Sequence, residues 1–414
     1  MATIAATSPA WAATAVAPPT TATTPISVKG HPWGVAVTPN GKKAYVTNHG
    51  GTTVSVFDVA TGKIGPLITV GSTPVAVTVT PNGLQAYVAN QGGTTVSVID
   101  TTNDTVSASI TVGSHPGGVA FTPNGSKAYV TNENTGTVSV IDVASEQVTA
   151  TIPVGANPRG VAVTPDGTKA YVTNEGGTTV SVIDTTLDTV STTITVGQSP
   201  WAVAFTPDGT KAYVTNDDSA TVSVIIVSSD TLSATIPVGH NPWGVAVTPD
   251  GTKAYVTNFT SRSVSVITVN TDTAGTPIPV GSFPAAVAFT PDGTRAFVTN
   301  DGDGTVTVLN SPPAYTNGPP TDSVVGATYT FGLTTAGSSP ITYAVTSGTL
   351  PTGISLDSAT GILSGTPTTI GPFPFSVTAT GPGGTTTAAY MVTVTATPPL
   401  IVVPPSTHLP FVSG

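Results

Sequence analysis

Cysteine is absent from this 414-residue chain, so disulfides and thiolate metal sites are excluded and the redox compartment cannot be read from bridges. Charge is scarce too. Only 8% of residues are charged, with 11 basic against 21 acidic and a formal charge of -10, whereas a nucleic-acid binder needs a basic face to meet phosphates. No nucleic acid is expected as principal partner. No apolar run reaches the roughly 18 residues needed to cross a bilayer, so no membrane-spanning segment is expected. Apolar residues at helical spacing are also missing, and helix is expected to be nearly absent.

What the chain does have is a repeat. Lys43-Ala44-Tyr45-Val46-Thr47-Asn48 returns as near-copies whose aromatic position falls at Tyr45, Tyr87, Tyr129, Tyr171, Tyr213, Tyr255 and Phe297, always 42 residues apart. A fixed period of that length means stacked copies of one supersecondary unit, none of which can bury its apolar residues alone. Each unit parses as four short strands, here called a to d. In the first, 34–38 is a, 43–48 is b, 53–58 is c and 67–70 is d, all with Val-rich alternation. Between a and b every copy carries Thr-Pro-Asn/Asp-Gly, from Pro39-Asn40-Gly41 to Pro291-Asp292-Gly293. Proline presets the first turn φ, Asn or Asp caps locally, and Gly takes the positive φ that closes a hairpin. The Asn that ends strand b, Asn48 to Asn300, is expected to satisfy backbone groups at the b-to-c bend.

The d-strand signature I-x-V runs from Ile26/Val28 to Ile278/Val280, but the next register position holds Pro320 and Asp322. The seventh unit therefore lacks a d strand of its own, and residues 24–28 are expected to supply it. Such closure converts a linear array into a ring without a free edge. The expected fold class is all-β: a seven-bladed β-propeller closed by its N-terminal strand, plus a C-terminal Ig-like β-sandwich.

The KAYVTN string, the TPDG turn and the 42-residue period together resemble the YVTN β-propeller family of bacterial and archaeal surface proteins, over about residues 23–310. That resemblance implies a seven-bladed propeller that is secreted or at the cell surface. After Ser311 the period ends, and residues 312–396 contain no Lys or Arg. Leu350-Pro351-Thr352-Gly353-Ile354 and Thr360-Gly361-Ile362-Leu363-Ser364-Gly365-Thr366-Pro367 resemble an Ig-like module common in bacterial surface proteins. Alternating runs around Tyr329/Phe331, Tyr343/Val345, Phe375/Val377 and Tyr390/Val392/Val394 fit a small sandwich. The domain reading is 1–22 as a flexible leader or export-signal remnant, with Ala10-Trp11-Ala12 of A-x-A form, 23–311 as propeller, 312–396 as Ig-like module and 397–414 as a Pro-rich tail.

Chemistry is sought where copies of one fold differ, in the d-to-a and b-to-c loops that share one face. Just after the fixed loop proline stand Trp33, Val75, Gly117, Arg159, Trp201, Trp243 and Ala285. Trp33, Trp201, Trp243 and Arg159, with His31, His115 and His240, form the candidate ligand-binding set, because Trp and Arg most often dominate interface energy. Each Trp shares strand parity with core valines such as Val35, so an inter-blade packing role stands beside the binding one. The b-to-c loops add His49, Glu133, Glu175, Asp217, Phe259, Arg262 and Asp301. No HExxH, GxSxG or Walker loop occurs, so no catalytic residue, metal ligand or cofactor is assigned. The leading expectation is a monomeric secreted or cell-surface binding or adhesion protein with a protein or carbohydrate ligand. The alternatives are an exported propeller enzyme, lyase- or quinoprotein-like, using loop His and carboxylates, and a structural envelope component without a discrete ligand.

Overall fold

The computed structural model describes residues 17–28 and 30–397. The leader as far as residue 16, with Ala10-Trp11-Ala12, and the tail from residue 398 lie outside the described residues. Strand is nearly the only regular structure; the exceptions are two three-residue 3-10 turns at Glu133–Thr135 and Asp301–Asp303.

Seven antiparallel sheets follow one another along the chain, each in the order a-b-c-d. The fourth is representative, with Pro158–Val163, Lys169–Asn174, Thr179–Asp184 and Thr189–Thr195 as its strands. Tyr171, Val180, Val182 and Ile194 of this blade are buried in one cluster with Val203, Ala212, Val214 and Ile225 of the next. The apolar face of each blade is thus covered by its neighbour, which is why the unit repeats.

Every letter of the repeated motif has a structural task. Lysine and tyrosine reach into the c-to-d turn of the following blade. There Lys43 Nζ and Tyr45 Oη donate to the two carboxylate oxygens of Asp104 (2.8 and 2.6 Å). The same clamp joins Lys127 and Tyr129 to Asp188, and Lys211 and Tyr213 to Asp272. Burial, followed by the Asp104 bond, pushes the Tyr45 phenol far above its ordinary pKa. Threonine joins blades nearer the axis: Thr173 Oγ1 accepts from Gly160 N (2.8 Å) and donates to the Trp201 carbonyl of the next blade (2.8 Å). Asparagine bonds side chains of strand c, since Asn48 Nδ2 donates to Thr53 Oγ1 and Ser55 Oγ. The backbone partners lie in the d-to-a loop rather than at the expected b-to-c bend: in blades 4 and 5 Asn174 and Asn216 accept from Gly155 N and Gly197 N.

The a-to-b turn is built as its residues require. Gly41 N donates to the Thr38 carbonyl (2.8 Å) with φ at 69°, and Asn40 Oδ1 accepts from Thr38 Oγ1 and Lys42 N.

Closure is supplied by the N-terminal segment. Thr21–Ala22 and Ile26–Ser27 both pair with Thr305–Asn310, strand c of the seventh blade. The closing segment reaches back past residue 23, and the Pro19 carbonyl accepts from Tyr255 Oη (2.9 Å) where blades 1, 3, 4 and 5 use a turn aspartate.

The C-terminal module has a four-stranded sheet of Ser323–Val324, Gly384–Thr395, Gly371–Gly381 and Thr342–Gly348, facing a three-stranded one. One pair, Ser323–Val324 with Val394 and Thr395, is parallel. Tyr329, Tyr343, Phe375, Val377, Tyr390 and Val392 form its core as their alternation implies. Val345 is instead exposed, on the edge strand of the sheet and next to the point where the ladder shifts register. The module is bonded to the propeller: Ser338 Oγ donates to the Thr294 carbonyl (2.8 Å) and accepts from Ser311 N. Arg295 donates through Nη1 to the Val59 carbonyl of the first blade and through Nη2 to the Ser339 carbonyl.

Candidate functional site

The innermost strands surround an axial cavity of about 270 Å³. Its wall is valine and small residues, among them Val77, Val119, Val161 and Val203. Glycine is needed there for blade-to-blade approach: a Cβ on Gly160 would stand 2.6 Å from the Trp201 carbonyl. The d-to-a residues after the loop proline lie at the mouth of this cavity. Trp33, Arg159 and Trp201 line it, while the small Gly117 and Ala285 leave space for them.

All three indoles are half-buried and joined to one another. Trp201 and Trp243 stack at 4.5 Å with an interplanar angle of 4°. Trp243 also stacks on Phe259 at 3.5 Å, and Phe259 on Phe283 at 4.9 Å. Trp33 comes from the first blade yet reaches Trp243 of the sixth at 5.0 Å, across the seventh blade, whose equivalent residue is Ala285. His49 lies 4.3 Å from Trp33, and its burial lowers its pKa despite the nearby Asp301 carboxylate. The other end of the ladder is Arg159, whose guanidinium lies 3.8 Å over the Trp201 ring.

Arg159 is also held by carboxylates. Its Nη1 donates to Glu133 Oε1 (2.8 Å), and Glu175 Oε2 is 3.7 Å away. Gln91 Nε2 holds both oxygens of Glu133 at 3.0 Å, and Trp243 Nε1 donates to Asp217 Oδ1 (3.1 Å). Burial raises the carboxyl pKa of Glu175, with the carboxylates of Glu133, Asp217 and Asp218 adding to it and Arg159 only partly offsetting them. Burial likewise raises Asp217 despite the bonds from Asn241 and Trp243.

The structure brings Trp33, Trp201, Trp243 and Arg159 into one cluster and leaves the three histidines apart from it. His31 Nδ1 faces Asp301 at 3.2 Å. His115 Nδ1 lies 3.0 Å from Asn134 Nδ2, and exposed His240 is fixed through its backbone by Ser261 and Thr260. None of their rings bonds the carboxylate of Glu133 or Glu175, the pairing an enzyme using these loops would need. Among the described residues no group of three or more His, Cys, Asp or Glu is arranged to hold a metal ion. Gln91 escaped the sequence reading, although its register 42 residues after His49 marks it as the b-to-c residue of the second blade.

The family model described as "Lactonase, 7-bladed beta-propeller" matches residues 101–233 and, about one blade further on, residues 144–277. The family model "Putative Ig domain" matches residues 306–396. Among solved structures, the propeller is similar to a chain of Kuenenia stuttgartiensis hydrazine synthase, with 24% identity and a TM-score of 0.63 over 68% of this chain and 95% of that one. That likeness concerns the fold alone. No protein of curated function matches the sequence. The YVTN-repeat resemblance is finer than these matches reach.

Proposed function

We propose that the protein is a secreted or cell-surface binding protein and that the mouth of the propeller, formed by its d-to-a and b-to-c loops, is the ligand-binding face. The observation that carries this reading is the ladder Arg159-Trp201-Trp243-Phe259-Phe283. The repeat does not need it, since blades 2, 3 and 7 close with Val75, Gly117 and Ala285 at the same register. Aromatic and arginine side chains already fixed in one arrangement lose little entropy on binding, which is what an interface anchor requires. The faces of Trp201 and Trp243 are covered by their neighbours, so the ladder offers indole edges and the exposed ring of Phe283. This favours a protein ligand over a glycan, which would stack on an open ring face.

The test is a peptide, protein and glycan screen read by tryptophan fluorescence. A ligand whose binding is lost in Trp201→Ala and Trp243→Ala supports the reading; a ligand that binds both variants unchanged overturns it. A second reading, hydrolysis of a lactone, has the match of residues 101–277 behind it. In that reading Glu175, half-buried and with a raised pKa, is the group positioned to take a proton from water. Turnover of simple γ- or δ-lactones that disappears in Glu175→Gln would put the enzyme in place of the binder.

A further inference from the structure

The described loops of the mouth face carry six carboxylates, Glu133, Glu175, Asp217, Asp218, Asp301 and Asp303, against two arginines, Arg159 and Arg262. Four of the six accept a hydrogen bond inside the protein, and a fifth, Asp301, has only the His31 ring beside it. Glu133 is held by Gln91 and Arg159, Asp217 by Trp243, Asp218 by Ser199 Oγ (2.6 Å), Asp301 faces His31, and Asp303 accepts from Ser282 N (2.6 Å). Glu175 is different. Its one cationic neighbour, Arg159, stands at 3.7 Å and gives its short bond to Glu133 instead.

The repeat explains why. The d-to-a residue of each blade faces the b-to-c residue of the blade before it, 26 positions earlier, as Arg159 faces Glu133 and Trp243 faces Asp217. By that register Glu175 belongs to Trp201, whose ring is engaged by Arg159 and Trp243 and makes no bond to it. One half-buried carboxylate beside an aromatic ladder is therefore left without a donor. Arg159 shows, one blade away, how this surface holds a cation: an indole face on one side and carboxylates on the other.

We propose that the mouth docks a basic segment of a partner protein, with a Lys or Arg side chain of that segment seated against Glu175 beside Asp217. The stem of that side chain lies along the indole edges of Trp201 and Trp243. Charge complementarity selects this occupant: the face is net acidic, and a desolvated carboxylate gains most from a cation that arrives with its own apolar stem. The proposal deepens the binding reading and depends on it.

The experiment uses the full chain and a fluorescent decapeptide of alternating Lys and Gly, with Glu/Gly and Ser/Gly decapeptides as comparisons. Three variants are measured beside the wild type: Glu175→Gln, Trp243→Ala, and Asp142→Asn, which removes one charge from the opposite face. Thermal unfolding checks that each is folded. The expected result is saturable binding of the Lys peptide alone, weakened about tenfold by Glu175→Gln and by Trp243→Ala and unchanged by Asp142→Asn. Equal weakening by Glu175→Gln and Asp142→Asn would reduce the effect to net charge and overturn the proposal. Equal binding of the Ser/Gly peptide, or a Lys-peptide affinity indifferent to Glu175→Gln, would overturn it as well. In those cases sensitivity to Trp243→Ala still decides the broader reading: retained, the mouth binds something other than a cation; lost, both fall.

Discussion

At the residue scale, the most repeated residues of this chain are the ones least available to a ligand. Lysine and tyrosine of the first, third, fourth and fifth motifs clamp the next blade's turn, valine is core, threonine joins a-strands, and asparagine ties the b-to-c bend. The second blade tests the threonine, since Ala89 stands there. Without the hydroxyl, Ala76 pairs directly with Ala89, and Thr78 Oγ1 supplies an alternative bond to the Val119 carbonyl (2.8 Å). Thr173→Ala is expected to cost about 1–3 kcal/mol, because it leaves Gly160 N–H and the Trp201 carbonyl without their partner. Ala89→Thr should gain less than about 1 kcal/mol, given that Thr78 already bridges those blades. Urea unfolding of both variants measures the difference. The candidate site residues follow the opposite rule: Trp33, Arg159, Trp201 and Trp243 sit where the copies disagree.

At the element scale, the closing segment decides whether seven units make a ring. It is short, with Ile26–Ser27 and Thr21–Ala22 as its only paired strands among the described residues, yet Val28 is buried and Tyr255 depends on the Pro19 carbonyl. Each of its hydrogen bonds contributes on the order of 1 kcal/mol net, and burial of an aliphatic side chain such as Val28 roughly 1.5–3 kcal/mol. Deleting residues 1–29 is therefore expected to lower the melting temperature and to cause self-association through the bared Thr305–Asn310 edge. Size-exclusion chromatography reads the outcome; a monodisperse monomer of unchanged melting temperature would contradict closure by this segment.

At the scale of the whole molecule, Arg295 and Phe297 replace the lysine and tyrosine of the clamps, and the turn they face, in the first blade, has Gly62 at the register of the clamping aspartate. The longer, forked side chain bonds the first blade and the Ig-like module together. Since b strands begin on the turn face, the module is attached on the side away from the aromatic mouth, which stays open to a partner. Arg295→Ala should free the Val59 and Ser339 carbonyls and loosen the module, seen as a larger radius of gyration in solution scattering. An unchanged radius would assign the seam to Ser338 and Ser311 alone.

The division between sequence and tertiary structure follows from range. Period, turn chemistry and the missing seventh d strand are local or strictly periodic, so the propeller, its strand order and its closure could be read from the residues. The stacking of Trp33 on Trp243 could not, because it spans the gap that Ala285 leaves in another blade and depends on how the ring curves. The same holds for the placement of Arg159 over Trp201, which covers a ring face that composition alone would offer to a ligand. The lone position of Glu175 is likewise a matter of which neighbour reaches which carboxylate, a competition settled by distances of an ångström and invisible to any pattern along the chain.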